Sequence, residues 1–285
     1  MDNLTIQSDN KQTTFTHDGF TVLKNFLNAD EIPIIKSEVE IVIASAREST
    51  CVRPNNTLLP LRWSDKLIEL VLTSDRRIQE LKEAVKAIDL KWISGYISSK
   101  EAHCGALWWH QDWWCWQHPV SFKRTTSQIA LMCYLAATNK NNGALRVLPG
   151  SHHKSLPLHL VLPEAHAEDT NHIDQSHIAM RDYPGEVTLN LNAGDAIAID
   201  YRLLHGTHEN ISDTRRDCVM LTFTPSWTDL PENIKGHLSR HHALPFDSEL
   251  PIQTAYRKDL IPYYNGVKKD LIVIRIPPRD FAVTD

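Results

Sequence analysis

From residue 91 onward the chain breaks into short apolar runs separated by turn residues, and this punctuation limits what it can fold into. The runs are KWISGYIS (91–98), GALWWHQDWWCW (105–116), TSQIALMCYLA (126–136), GALRVLPG (143–150), GEVTLNL (185–191), DAIAIDYRLLH (195–205) and DCVMLTFTPSW (217–227). Between them lie Asn141-Asn142-Gly143, Pro149-Gly150, Pro184-Gly185 and Ala193-Gly194-Asp195. Many short strands divided by such turns predict a β-sandwich or barrel. The first ninety residues read differently. Asn28 or Asp30 can cap a helix in which Pro33 fits the first turn and Ile34, Ile35, Val39, Val42 and Ile43 recur at helical spacing. Ser64 opens a second helix, with a break expected around Thr73-Ser74-Asp75. Phe15 to Leu27 reads as a turn and a short strand. The expected architecture is therefore mainly β with flanking helices packed on one sheet.

The domain reading follows from these changes of texture: a flexible tail over 1–14, then one domain over 15–285. Within it, 15–90 gives helical support, 91–225 forms the β core, 151–183 is a long insertion, and 226–285 is a covering segment. Of 285 residues, 42% are hydrophobic and 23% charged, and the net charge is −5. That balance fits a globular chain and offers no polybasic surface for nucleic acid. No apolar run is long enough to span a membrane. The N-terminus lacks an apolar signal core, and the five cysteines are odd in number with no CxxC. A reduced cytoplasm is the expected compartment; the oligomeric state stays open, a homo-oligomer included.

The chemistry concentrates in Trp108-Trp109-His110-Gln111-Asp112-Trp113-Trp114-Cys115-Trp116, which holds five of the eight tryptophans. Residues two apart on a strand face the same way, so His110 and Asp112 can address one metal ion. His205, just before Gly206, completes two histidines and one carboxylate, a set that leaves coordination positions open and marks non-haem Fe(II) oxygenases. Such an ion needs a chelating co-substrate with a second anionic end, and a guanidinium fork suits that carboxylate. Arg216, eleven residues after His205, is preferred over Arg215; neighbouring strand residues face opposite ways, so only one of them points inward. His152, His153 and His208 are read as solvated or supporting residues rather than ligands. Asp195 and Asp200 are assigned to a turn and a strand end. If the strand stays extended, Trp108, Trp114 and Trp116 share the ligands' side and are candidate substrate contacts, while Trp109 and Trp113 lie opposite. Tryptophan faces favour cations, so an amine- or guanidinium-bearing small molecule is the expected substrate.

His110-Gln111-Asp112, then NNGALRVLPGSH (141–152), then AGDAIAIDYRLLHGTHEN (193–210) with Arg216, together resemble the phytanoyl-CoA dioxygenase family of Fe(II)/2-oxoglutarate oxygenases over roughly residues 15 to 225. The resemblance implies a double-stranded β-helix (jelly-roll) core. It implies iron on His110, Asp112 and His205, and 2-oxoglutarate held through its far carboxylate by Arg216, with Thr207 touching the same carboxylate. One position departs: Met132 stands where the family often has Trp. The implied reaction consumes dioxygen and 2-oxoglutarate, releases succinate and CO2, and hydroxylates a C–H bond. Related halogenases have Gly or Ala at the carboxylate position, so Asp112 implies hydroxylation. The resemblance extends to cyanobacterial toxin-tailoring hydroxylases of the kind that complete cylindrospermopsin. Two rival readings remain: an oxygen-independent cupin-like hydrolase or isomerase using its metal as a Lewis acid, and a non-catalytic jelly-roll binding module.

Overall fold

A computed structural model describes residues 11–46, 56–165, 173–174, 176–245 and 257–284. Its centre is a pair of facing antiparallel sheets. The strands are β1 (Phe20–Leu23), β2 (Thr57–Leu61), β3 (Lys91–Lys100), β4 (Leu107–His110), β5 (Ile129–Tyr134), β6 (Leu145–Val147), β7 (Val187–Thr188), β8 (Ala196–Asp200), β9 (His205–Thr207) and β10 (Arg216–Thr224). The large sheet runs β1-β8-β5-β10-β3-β2 and the small one β4-β9-β6-β7. This is the expected jelly roll, because from β3 onward the chain passes back and forth between the two sheets.

Period-two alternation gives the large sheet two different faces. Leu131, Cys133, Val219, Leu221 and Ala198 point to one side and pack against the helices. Ala130, Met132, Tyr134, Cys218 and Met220 point to the other side, toward Leu145 and Val147 of the small sheet. The helices are α1 (Lys11–Asp18), α2 (Glu31–Ala46), α3 (Lys66–Leu72) and α4 (Asp75–Val85). The α3/α4 break falls where the sequence places it: Ser74 takes an extended backbone and its hydroxyl accepts from the Arg77 amide, capping α4. Arg77 is buried; it grips the Glu31 carboxylate at 2.7 and 2.8 Å and donates to the Leu70 and Val71 carbonyls, which ties three helices together.

Three expectations for this half change. The tail over 1–14 gives way to a helix from Lys11, and residues 1–10 lie outside the described residues. The segment from Phe15 is the end of that helix before it is a strand. Within α2 the buried stripe is narrower than expected: Ile35 and Val39 are buried, Val42 and Ile43 partly so, and Ile34 is exposed.

The 151–183 segment carries short 3-10 turns at Pro157–Leu160 and Ile178–Met180. Leu158 packs against Trp109, and Ala179 with Met180 against Trp108. Its residues 166–172 and 175 lie outside the described residues. The C-terminal segment does more than cover the core. It contributes α5 (Glu232–Leu238) and then a strap whose Ile274 exchanges backbone hydrogen bonds with Trp114 and Trp116. Further along, Phe281 packs on the Trp116 ring at 4.7 Å.

Candidate active site

The three proposed ligands come together between the sheets. His110 and His205 are directly paired across β4 and β9, with ring centroids 4.2 Å apart. Each imidazole Nδ1 faces a backbone carbonyl, Trp108 O at 2.8 Å for His110 and Leu203 O at 3.0 Å for His205. A carbonyl can only accept, so Nδ1 carries the proton and Nε2 presents its lone pair. Both Nε2 atoms turn toward Asp112, at 3.8 Å from Oδ1 and 3.6 Å from Oδ2. One ligand atom from each of the three lies within 4.8 Å of the other two.

The chain reaches this arrangement by a different local route from the one the sequence suggests. The strand through the tryptophans ends at His110. Asp112 and Trp113 then both donate their amides to the Tyr201 carbonyl, at 3.0 and 2.9 Å, and this turn aims the Asp112 carboxylate. The run 195–205 is likewise two strands rather than one. It breaks at Tyr201, so that His205 opens β9 in the small sheet instead of ending β8. The turn between is held by a buried ion pair: Arg202 clasps Asp200 at 2.7 and 3.0 Å and donates to the Ser121 and Lys123 carbonyls. Burial alone would raise the Asp200 carboxyl, but Arg202 overrides it and holds the pKa down at about 2. Gln111, just past the end of β4, donates to the Arg202 carbonyl. Gly206 sits between inward-facing His205 and Thr207 because a Cβ there would meet the Leu107 carbonyl at 2.8 Å.

Arg216 opens β10, in the sheet opposite His205, so the two do not form one hairpin; they meet across the cavity. Alternation separates the two arginines cleanly. Arg215 faces outward to Asp217 and to Glu40 of α2. Arg216 is buried over the Tyr134 ring at 5.4 Å, and its Nε and Nη2 have no hydrogen-bond partner. The Thr207 hydroxyl is buried and without a partner too. Leaving such donors unmet costs about 1–3 kcal/mol each, more for charged groups. The set therefore fits a small carboxylate, the far end of 2-oxoglutarate, at one wall of a cavity of about 380 Å³.

That cavity also shows what the sequence does not signal. Tyr96, Gln128, Tyr201, His237, His241 and Arg275 line it beside the expected residues. Of the three tryptophans proposed as substrate contacts, Trp114 lines the cavity, while Trp108 packs against Met180 and Trp116 against Phe122 and Phe281. Strand alternation does not govern Trp114 and Trp116, because the strand stops at His110; Trp108, still on β4, keeps its ring 5.9 Å from that of His110 but does not line the cavity. Met132 lines the wall where the family often has Trp. Of the other histidines, His152 and His208 are buried rather than solvated, and burial pushes each imidazole down to about 4. His152 lies under Gly19, whose φ of +84° and 2.6 Å clearance admit no side chain. Asp195 serves its turn by accepting from the Asn25 and Asn192 amides and from Lys24. A second grouping of Asp182, Glu186 and His208 is served by cations of the chain itself, with Lys140 at 2.7 Å and Arg146 at 3.5 Å from Asp182.

The sequence profile of the family described as Phytanoyl-CoA dioxygenase (PhyH) matches residues 15–218. The chain belongs to that family. Its PhyH core is thus the non-haem iron dioxygenase scaffold, with 2-oxoglutarate and dioxygen as co-substrates, and the enzyme class implied by the motifs stands. Similar curated proteins include an ectoine dioxygenase of Nocardia farcinica, 26% identical over 74% of this chain and 76% of the relative. An L-proline trans-4-hydroxylase of Streptomyces griseoviridis is 27% identical over 45% of this chain and 52% of that one. Among solved structures, HygX from Streptomyces hygroscopicus with nickel and 2-oxoglutarate bound superposes with a TM-score of 0.57 at 17% identity, covering 76% of this chain and 87% of that one. That similarity bears on the fold, which it shares. No helix among the described residues is long and apolar enough to cross a membrane.

Proposed function

We propose that this PhyH enzyme hydroxylates an unactivated C–H bond of a small molecule at a ferrous ion held by His110, Asp112 and His205, as in a tailoring step of secondary metabolism. The observation that carries the reading is the meeting of two groups in one cavity: two imidazoles oriented with Nε2 toward one carboxylate, and the unpartnered donors of Arg216 and Thr207. Iron with 2-oxoglutarate, when bound, supplies the oxidation: one oxygen atom of O2 ends in succinate, the other in the substrate hydroxyl, and CO2 leaves.

The chain's own residues do the positioning. The Trp108 and Leu203 carbonyls fix the tautomers of His110 and His205, so that both imidazoles present a lone pair without losing a proton first. The Tyr201 carbonyl and the Asp200–Arg202 pair hold Asp112 and His205 in register. Arg216 and Thr207 grip the far carboxylate of 2-oxoglutarate and so decide how it is presented. Asp112 fills the position that a halide would need, which supports hydroxylation over halogenation. Buried donors facing an open cavity favour this reading over a hydrolytic cupin, which has no use for Arg216. Free thiols at Cys104, Cys115, Cys133 and Cys218 support a reducing compartment such as the cytoplasm. A role in cylindrospermopsin-type toxin biosynthesis rests only on the sequence resemblance.

Anaerobic addition of Fe(II) and 2-oxoglutarate is expected to give a visible charge-transfer band, and admission of oxygen to release succinate. Asp112→Ala and His205→Ala each abolish the band. A wild-type protein that shows no band would remove the oxygenase reading.

A further inference from the structure

The cavity is not electrically neutral once iron and 2-oxoglutarate are in it, and the excess sits on a residue outside the family match. Asp112 is the only carboxylate among the described residues that line it, whereas two guanidiniums do so, Arg216 and Arg275. The ferrous ion brings two positive charges, Asp112 one negative, the 2-oxoglutarate dianion two, and Arg216 one positive. These four cancel. Arg275 is then the one formal charge left without a counter-charge. It is partly buried, its Nε is enclosed with no hydrogen-bond partner, and no carboxylate of the described residues pairs with it. A guanidinium in this setting is stabilised by an anion that arrives from outside.

The surroundings of Arg275 are built for such an arrival. The strap is fixed on both sides of its neighbour Ile274, whose amide donates to Trp114 O at 2.8 Å and whose carbonyl accepts from Trp116 at 3.2 Å. Arg275 is thereby held at the cavity rather than left to wander in solvent. The wall beside it comes from α5 and the residues after it. His237 packs against Trp114 with centroids 4.4 Å apart and the rings tilted by 37°, and accepts the Leu271 amide at Nδ1. His241 accepts the Ala243 amide at Nδ1. Burial pushes both imidazoles down, His241 to about 4. With Nδ1 accepting, each neutral ring keeps its proton on Nε2 and is a hydrogen-bond donor. This corner of the cavity therefore offers one guanidinium, two imidazole N–H groups and an indole face; the Asp270 carboxylate beside His237, 3.6 Å from its Nδ1, is engaged by Arg240 at 2.9 Å and does not line the cavity.

We propose that the substrate carries an oxyanion group, carboxylate, sulfate or phosphate, which Arg275 holds while the apolar part of the molecule lies against Trp114. This rests on the oxygenase reading above and names its substrate class. It reverses the cationic substrate expected from the tryptophans. It also assigns substrate selection to the segment after residue 218, beyond the part that the family shares.

The test uses protein loaded anaerobically with Fe(II) and 2-oxoglutarate, so that Arg216 is already engaged. Benzoate, benzenesulfonate, phenyl phosphate and benzylammonium are titrated in turn, and binding is read by calorimetry and by perturbation of the charge-transfer band. The three anions are expected to bind and benzylammonium is not; their order separates a planar from a tetrahedral oxyanion. Arg275→Gln is expected to weaken the preferred anion about 10- to 100-fold while the band persists. Arg275→Lys, which keeps the charge, stays closer to wild type, and it carries the test if the Gln variant does not fold. Benzylammonium binding as well as the anions, absence of binding by all three anions, or an Arg275→Gln protein that binds them like wild type would each overturn the proposal while leaving the oxygenase reading intact. Absence of the band in wild type would instead strike at that reading.

Discussion

The two faces of the large sheet are cut from the same strands and obey different rules. On the helix side, Leu131, Cys133, Val219 and Leu221 pack into one apolar cluster with the helices. On the cavity side, one residue along, Met132, Tyr134, Arg216 and Cys218 leave space and unpaired donors between them. The first face is complete as it folds. The second is completed by what it binds. Strand alternation is what lets one short stretch, Arg216 to Leu221, serve both purposes, and the contrast between Arg215 and Arg216 shows how little sequence separates an ion pair with Glu40 from a buried guanidinium with unpaired donors.

The contrast can be broken from either side. Leu221→Ala, on the closed face, is expected to cost about 2–5 kcal/mol of stability, seen as a lower urea midpoint, while each folded molecule still forms the charge-transfer band. A loss of the band without loss of stability would show that the faces are not separable. Arg216→Ala, on the open face, should do the reverse. Its affinity for 2-oxoglutarate falls by about 2–3 kcal/mol, or some 30- to 150-fold, iron stays bound, and the ligand-free melting temperature does not drop because two unmet buried donors have gone. Wild-type behaviour towards 2-oxoglutarate would remove Arg216 from the role assigned to it. The smallest effect sharpens the comparison through pH. Because the Asp200 pKa is depressed in the fold to about 2, its pairing with Arg202 stabilises the protein above the unfolded carboxyl value, and this is lost as pH falls from about 4 to 2; the amount is about 2 kcal/mol. Asp200→Asn removes that pH-dependent part from acid-unfolding curves, and an unchanged curve would contradict it.

The strand-and-turn punctuation made a layered β fold legible and the family motifs narrowed it to a jelly roll, while the helix break at Thr73-Ser74-Asp75 was legible because turn chemistry is local. The candidate metal triad was legible because His110, Asp112 and His205 are few and their types are demanding, and the fold brings the three together. What was not legible depended on where strands stop. Nothing in Trp109-His110-Gln111 signals that β4 ends there, since the cause is a carbonyl, that of Tyr201, some ninety residues away in sequence. The break at Tyr201 likewise comes from Arg202 reaching distant carbonyls. Arg275 and His237 belong to no motif; the paths of the strap and of α5 place them at the cavity.

The central claim is that one ferrous ion sits among His110, Asp112 and His205. Crystals grown anaerobically with Fe(II) and 2-oxoglutarate, measured on either side of the iron absorption edge, test it most directly. The account predicts one anomalous peak within bonding reach of Nε2 of both histidines and the Asp112 carboxylate, with 2-oxoglutarate density running from it to Arg216. A peak at Asp182, Glu186 and His208 instead, or none between the sheets, would contradict it.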